Sequence, residues 1–132
     1  MKDVLTINVT IDDSHDVSGE AGNARMISFH GESKCDNFTG KILPGGVDTQ
    51  KYYASGEKTL SARYILEGKD YTGESCRIFI ENNGSIADDG TITTKPVVFT
   101  DSKALKWLET ANLTGSVEGT RNGVKITFWE EE

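Results

Sequence analysis

The chain contains few of the residues that cross-link a fold or restrict its backbone. Its 132 residues include two cysteines, two prolines and two histidines. Two cysteines are too few for a disulfide framework, so we expect Cys35 and Cys76 to be free thiols. No stretch approaches the roughly 20 apolar residues that a membrane-spanning helix needs. The start, Met1-Lys2-Asp3, runs into a strand pattern without a signal-peptide core, so we expect a cytoplasmic protein with no membrane partner.

Positive charge is also in short supply. Fourteen Lys and Arg residues stand against 21 Asp and Glu, which gives a net charge of −7 at pH 7. Binding to nucleic acid depends on Lys and Arg that neutralise phosphates, so this balance argues against a nucleic-acid partner. An anionic membrane surface is disfavoured for the same reason. The length fits one domain over residues 1–132.

The apolar residues follow the pattern of β-strands. Residues 4–11 alternate between apolar and polar, and residues 60–66 and 76–80 form the longest such pair. Residues 12–22 are polar and rich in Asp, Ser and Gly, and we interpret them as a loop. Many short strands with Gly-rich turns predict an all-β fold, an antiparallel β-barrel of about eight or nine strands. One short helix is predicted over residues 103–110.

Several motifs follow one another in an order that resembles a known family. The sequence reads LPGGVDTQ at residues 43–50, LSARYIL at 60–66, IFIENNG at 78–84 and KWL at 106–108. This order resembles the domain-of-unknown-function family numbered 3237, whose members typically carry a Leu-Pro-Gly-Gly-Ala-Asp-Trp element. The resemblance covers residues 27–129 and implies a small antiparallel β-barrel without a settled activity. The chain departs at Thr49, where Trp is usual, and at His30, where a Gly is common; its ligand is then expected to differ or to be absent.

The Pro-Gly-Gly turn and two charged residues form the leading candidate for a ligand site. Gly45 and Gly46 allow the backbone to approach a ligand closely, because glycine has no Cβ. Asp48 can accept a hydrogen bond near the barrel mouth, and it lies in the most specific motif of the resemblance. Arg63, if it points into the barrel, could clamp an anionic or enolisable group. The structural alternative is that Asp48 accepts turn N–H groups and that Arg63 is a surface charge or an ion-pair partner.

Four more polar residues are candidates for ligand binding. His30 shares a strand face with Ser28, and histidine is the most frequent general base. Glu81, Asn82 and Asn83 form a polar cluster at a predicted strand end, where a carboxylate and amides could orient a small polar ligand. The alternatives are a lone polar residue for His30 and turn chemistry for the cluster.

Two classes of function stay open. The sequence has no phosphate loop, no metal-ligand spacing and no located acid–base pair, so we expect no cofactor and no bound metal. The first class is a soluble barrel that binds a small organic molecule, with an anionic one favoured by Arg63. The second is a small cofactor-independent enzyme of isomerase, cyclase or lyase type that uses acid–base groups. An eight-stranded barrel leaves room for one small ligand in either case.

Two apolar residues are expected on the outer surface. Ile65 and Phe79 lie opposite the faces assigned to the core, so both faces of their hairpin are partly apolar. Burying such a patch between identical subunits is common. The sequence therefore predicts a homo-oligomer, a dimer in the simplest case.

Overall fold

The protein folds into a closed antiparallel β-barrel. The structure, a computed structural model, describes residues 3–131. The elements along the chain are β1 (Asp3–Ser18), β2 (Gly22–Lys34), β3 (Phe38–Ile42), β4 (Val47–Tyr53), β5 (Lys58–Asp70), β6 (Ser75–Ile86), β7 (Ile92–Thr100), a 3₁₀ helix (Lys106–Glu109), β8 (Leu113–Gly119) and β9 (Gly123–Glu130). The predicted all-β barrel is confirmed.

The barrel has eight strand positions around its circumference, and its nine strands fit because β3 and β4 share one position. Its order is β1, β9, β8, β7, β6 and β5, followed by β3 and β4 together, and then β2, which pairs back onto β1. Both β3 and β4 lie between β5 and β2. β3 pairs with residues 66–70 of β5, and β4 pairs with residues 58–63 of β5. These two short strands therefore lie end to end, with the Pro-Gly-Gly turn between them.

At one end of the barrel, buried apolar side chains fill the interior. Alternate residues of each strand point inward, because successive side chains on a strand face opposite sides of the sheet. Leu5, Ile7, Leu66, Ile78 and Phe128 are each at most 1% exposed. Burying one side chain of this size stabilises the fold by roughly 1.5–3 kcal/mol. We call this half the packed end and the other half the open end.

A short 3₁₀ turn closes the packed end. The helix predicted over residues 103–110 is only this turn, Lys106–Glu109. The hydroxyl of Ser102 accepts the backbone N–H of Leu105 at 3.0 Å. Leu105 and Leu108 lie three residues apart, and both are buried because a 3₁₀ helix has three residues per turn. The apolar spacing that suggested a longer helix therefore places two leucines in the core from a single 3₁₀ turn.

The carboxylate of Asp70 joins this closing segment to the β5–β6 hairpin. It accepts the hydroxyl of Ser102 at 2.7 Å and the backbone N–H groups of Thr72 and Glu74. Hydrogen bonds from Thr72, and next from Ser102, hold the pKa of Asp70 below its usual range. Asp70 thus stabilises the fold when it is ionised.

The first hairpin is longer than the sequence suggested. The loop predicted over residues 12–22 is wrong, because β1 continues to Ser18 and β2 begins at Gly22. The residues of β1 beyond Asp12 are exposed, so their strand carries no apolar alternation. Cross-strand pairing with β2, which also pairs with β4, maintains the extended backbone there.

Cys35 is half-buried and Cys76 is buried, and they form no disulfide with each other. Within residues 3–131, no helix has the length and apolar character to cross a membrane.

Candidate functional site

The open end of the barrel holds a cavity of about 130 Å³. Each of the eight places in the ring contributes at least one side chain. The lining is largely hydrocarbon: Val9, Ile11, Ile27, Phe29, Leu60, Ala62, Ile92, Val117, Val124 and Ile126, with Asp48, Gln50 and Asn82 as the polar members. A cavity of about 150 Å³ can hold benzene, so this one suits a single small ring.

A chain of hydrogen bonds orients Asp48 toward the cavity. Asp48, Gln50 and Tyr52 alternate along β4 and so share its inner face. The hydroxyl of Tyr52 donates to Gln50 Oε1 at 2.8 Å, and Gln50 Nε2 donates to Asp48 Oδ2 at 3.0 Å. The other oxygen, Oδ1, is shielded from solvent and has no partner among residues 3–131.

The environment of Asp48 disfavours its charged form. Burial raises the pKa of the Asp48 carboxyl above its usual range, and the hydrogen bond from Gln50 opposes this only partly. A carboxyl in such a place can hold its proton at higher pH than an exposed one. It can therefore donate or accept a hydrogen bond according to pH.

Asn82 presents a second acceptor to the cavity. Its side chain is 1% exposed, and its Oδ1 finds no donor in the described part of the chain. Asp48 pairs with Ala62 across β4 and β5, and Ala62 pairs with Asn82 across β5 and β6. The three residues thus form one row, and the small Ala62 leaves open space between the two polar groups.

We expect Asp48→Asn to make the free protein more stable at pH 7, by a few degrees in Tm. The folded state holds the Asp48 proton more tightly than the unfolded chain does, so the cost of ionisation is present above the folded pKa and disappears below the unfolded value of about 3.9. The gain in Tm over the wild type should therefore shrink as pH falls toward 4. Thermal unfolding of both proteins at several pH values measures it.

Asp70→Asn is the matched control, and its expected change in Tm at pH 7 has the opposite sign. The stability that Asp70 contributes is present above the unfolded pKa and is lost as pH falls through the lowered folded value. This variant should lower Tm at pH 7, and the deficit should shrink in acid. A fall in Tm at pH 7 for Asp48→Asn would instead show that Asp48 has a structural partner in solution.

Three of the predicted site residues lie on the outside of the barrel. Arg63 Nε donates to Glu81 Oε2 at 2.7 Å, and Asn83 Nδ2 donates to Glu81 Oε1 at 3.0 Å. Both hydrogen bonds lower the pKa of Glu81, and the one from Asn83 has the larger effect. Arg63 alternates with the inward Ala62 and Tyr64, so its side chain must point outward.

This placement separates the predicted pair. Of the two alternatives for Arg63, the one that points it into the barrel beside Asp48 does not hold, because the two residues lie on opposite faces of the sheet. Arg63 makes the surface ion pair that was its structural alternative. Whether Arg63, Glu81 and Asn83 contact a ligand on that outer face stays a prediction.

The other three predicted residues line an open groove on the outer surface. Gly45, Gly46 and His30 border this groove, which measures about 440 Å³. Gly45 has φ of +110°, a backbone conformation that favours glycine. A Cβ on Gly46 would lie 2.9 Å from the ring of Phe29, so that glycine makes room for a residue that lines the cavity. The turn supports the cavity wall from outside and does not line it.

His30 is held by a carboxylate on the neighbouring strand. Its Nδ1 lies 2.6 Å from Asp12 Oδ1, and the imidazole is well exposed. Asp12 is the extra residue where the register of β1 and β2 shifts, so a β-bulge directs its side chain toward His30. His30 therefore belongs to the groove, apart from Asp48.

Sequence reasoning missed Gln50 and Ala62, and it did not separate Asn82 from its outward-facing neighbours. Strand parity could have done so, because Asn82 is in phase with the inward Ile80. Among residues 3–131, no group of three His, Cys, Asp or Glu side chains is placed to hold a metal ion.

Similarity to other proteins places this chain in a family. Residues 1–89 match the family described as "Protein of unknown function (DUF3237)". The UPF0311 protein CA_C3321 of Clostridium acetobutylicum is 34% identical over an alignment of 110 residues that covers 78% of this chain. The chain spans 66% of the length of that curated relative.

Solved structures share the barrel. A crystal structure of a protein of unknown function from Clostridium acetobutylicum has a TM-score of 0.79 at 24% identity, over 99% of this chain and 98% of the other. An enzyme from Penicillium herquei has a TM-score of 0.77 at 16% identity, over 99% of this chain and 92% of the other. At these identities the likeness shows the fold. The match of the first 89 residues and the 34% identical relative show that the chain belongs to the DUF3237 family of proteins of unknown function.

Proposed function

We propose that the barrel binds a small, largely apolar organic molecule that carries a hydrogen-bond donor, in the cavity at its open end. The observation that carries this is the pair of acceptors, Asp48 Oδ1 and Asn82 Oδ1, which lack donors within residues 3–131 and line a cavity of hydrocarbon. A buried acceptor without a donor costs about 1–3 kcal/mol. An O–H or N–H group of a ligand would satisfy either oxygen.

The charge of the cavity favours a neutral ligand. Its lining includes one carboxyl, Asp48, and no Lys, Arg or His among the described residues. The sequence favoured an anionic ligand on the condition that Arg63 points into the barrel, and its guanidinium lies outside. An anion in the cavity would meet Asp48 without a cation to balance it. We therefore favour an alcohol or a phenol over a carboxylate.

The size of the cavity sets the body of the ligand. About 130 Å³ accommodates one ring or a short branched chain. Ile11, which lines the cavity, is 46% exposed and marks where the cavity meets the rim. A longer ligand can therefore place its ring inside and extend its remainder past the rim.

Titration with simple ring compounds tests the proposal. We expect phenol and cyclohexanol, at millimolar concentrations, to raise Tm and to give measurable heats of binding. Toluene lacks a donor and benzoate is an anion, so both should bind more weakly. Asp48→Ala and Asn82→Ala remove one acceptor each without filling the cavity, and each should weaken phenol binding by about 10- to 100-fold.

Arg63→Gln is the matched control because its side chain lies outside the cavity. It should leave the affinity for phenol unchanged. Ala62→Leu fills the space between Asp48 and Asn82 and should abolish binding. Equal affinity for phenol and toluene in the wild type would overturn the role of the acceptors, and a phenol affinity that changes with Arg63 alone would move the site to the outer face.

Acid–base catalysis is the second candidate, and the raised pKa of Asp48 is the observation that favours it. A carboxyl held by Gln50 in an apolar cavity can transfer a proton to or from a bound ligand. The Penicillium herquei enzyme of similar fold is in keeping with such a use. Mass spectrometry of the ligand after incubation separates the candidates, because catalysis requires a converted product that Asp48→Asn no longer forms.

A further inference from the structure

An apolar strip runs across the outside of three adjacent strands. Ile65 on β5 pairs with Phe79 on β6, which pairs with Phe99 on β7, so the three side chains form one outward row. The rings of Phe79 and Phe99 stack with centroids 5.8 Å apart at an interplanar angle of 16°. Phe99 is 60% exposed and Ile65 is 38% exposed. Stacked exposed rings beside an aliphatic residue are unusual for a solvated surface.

Two ion pairs flank this strip, and they run in opposite senses. On one side Arg63 of β5 pairs with Glu81 of β6, with Nε and Oε2 2.7 Å apart. On the other side Glu67 of β5 pairs with Arg77 of β6, again at 2.7 Å. Along β5 the order is therefore Arg, Ile, Glu, and along β6 it is Arg, Phe, Glu. The four charges sum to zero in a chain whose net charge is −7.

We propose that this face is the interface of a homodimer, with a second copy of the chain as its occupant. A two-fold axis along the Ile65–Phe79–Phe99 row brings the apolar strip of one protomer onto that of its partner. The same axis exchanges the two flanks. Arg63 then faces Glu67 of the partner subunit, and Glu81 faces the partner's Arg77. The patch is thus complementary to itself, as a two-fold interface requires.

Local charge also explains why a second copy can approach. Two copies of a chain with a net charge of −7 repel one another at most orientations. The four paired charges of this patch cancel, and each of its two carboxylates has a guanidinium opposite across the proposed axis. An anionic membrane offers no such matching of charges, which makes it the weaker candidate occupant.

Sedimentation equilibrium of the full chain over a range of concentrations tests the proposal. We expect a mass of twice the 14.4 kDa protomer at high concentration. Phe99→Ser should weaken the dimer on the order of 10- to 100-fold. Tyr71→Ser is the matched control, since Tyr71 is 61% exposed and lies in the β5–β6 turn away from the strip.

A charge exchange gives the sharper test. The double variant Arg63→Glu with Glu81→Arg keeps the ion pair within the protomer and the net charge, but it brings like charges together across the proposed axis. It should dissociate the dimer. Adding Glu67→Arg and Arg77→Glu restores opposite charges across the axis and should restore dimerisation.

Three outcomes overturn the proposal. A wild-type monomer at millimolar concentration removes the interface. A dimer that is indifferent to Phe99→Ser, or one that survives the double exchange, places the contact elsewhere or on another axis. A monomer that sediments with phosphatidylglycerol vesicles assigns the strip to a membrane instead.

Discussion

Gly68→Ala is expected to destabilise the protein by about 3–5 kcal/mol, which is enough to unfold a domain of ordinary stability. Gly68 on β5 pairs with Gly40 on β3, and the two backbones cross closely. A Cβ on Gly68 would fall on the carbonyl oxygen of Thr39 and 2.5 Å from the Cα of Gly40. Both obstacles are backbone atoms, so relief requires the strands to separate and their hydrogen bonds to lengthen.

Gly119→Ala is the control for this substitution. Gly119 ends β8, and a Cβ there would meet nothing within 4 Å among the described residues. It should change the free energy of unfolding by no more than about 1 kcal/mol. Urea denaturation of both variants gives the comparison, with the slope m as a check on two-state behaviour. A Gly68→Ala protein within 1 kcal/mol of wild type would mean that β3 and β5 are further apart in solution.

Leu108→Ala should cost about 2–5 kcal/mol, the usual range for a fully buried leucine. Leu108 is 1% exposed and closes the packed end beside Leu105. Its neighbours belong to strands held by hydrogen bonds on either side, so the cavity left by truncation cannot collapse fully. Lys106→Ala, an exposed position in the same 3₁₀ turn, should have little effect.

The affinity for phenol separates this effect from the proposed ligand site. The cavity that we propose binds phenol lies at the open end, so Leu108→Ala should leave the dissociation constant unchanged wherever the variant is folded. Isothermal titration at 10 °C, where a destabilised variant remains folded, makes the measurement. A large loss of affinity would show that the two ends of the interior are coupled.

The strands of the barrel could be predicted from sequence wherever one face is buried. Residues 5–11 alternate between apolar and polar, and residues 60–66 do so except at the outward Ile65, because water lies on one side of the sheet and the core on the other. The outer part of the first hairpin, residues 13–18, has both faces exposed, so its sequence shows no alternation. Its pairing with β2 depends on distant strands, which local patterns do not report.

Part of the candidate site could be predicted from the sequence. The alternation of side chains along each strand explains which of its residues could be placed correctly and which could not. Asp48 was identified from its place after the Pro-Gly-Gly turn, and it lines the cavity. An inward Arg63 was one of two alternatives, and its own strand pattern, in which Ala62 and Tyr64 face the core, decides against it. Asn82 was grouped with its two polar neighbours as a cluster at a strand end, although it keeps the phase of Ile80 and they do not. That β6 continues to Ile86 is what turns this asparagine inward.

The seam between β1 and β9 has a consequence for how the chain folds. Ile7 pairs with Ile126, so this seam joins strands from opposite ends of the sequence. The entropy lost on closing a loop grows with its length, and the neighbouring hairpins β5–β6 and β8–β9 require far shorter loops. We infer that the seam closes late and that the barrel folds slowly, as proteins with many long-range contacts do. Until then β1 and β9 are both open edges, and a second unfolded chain can compete for them.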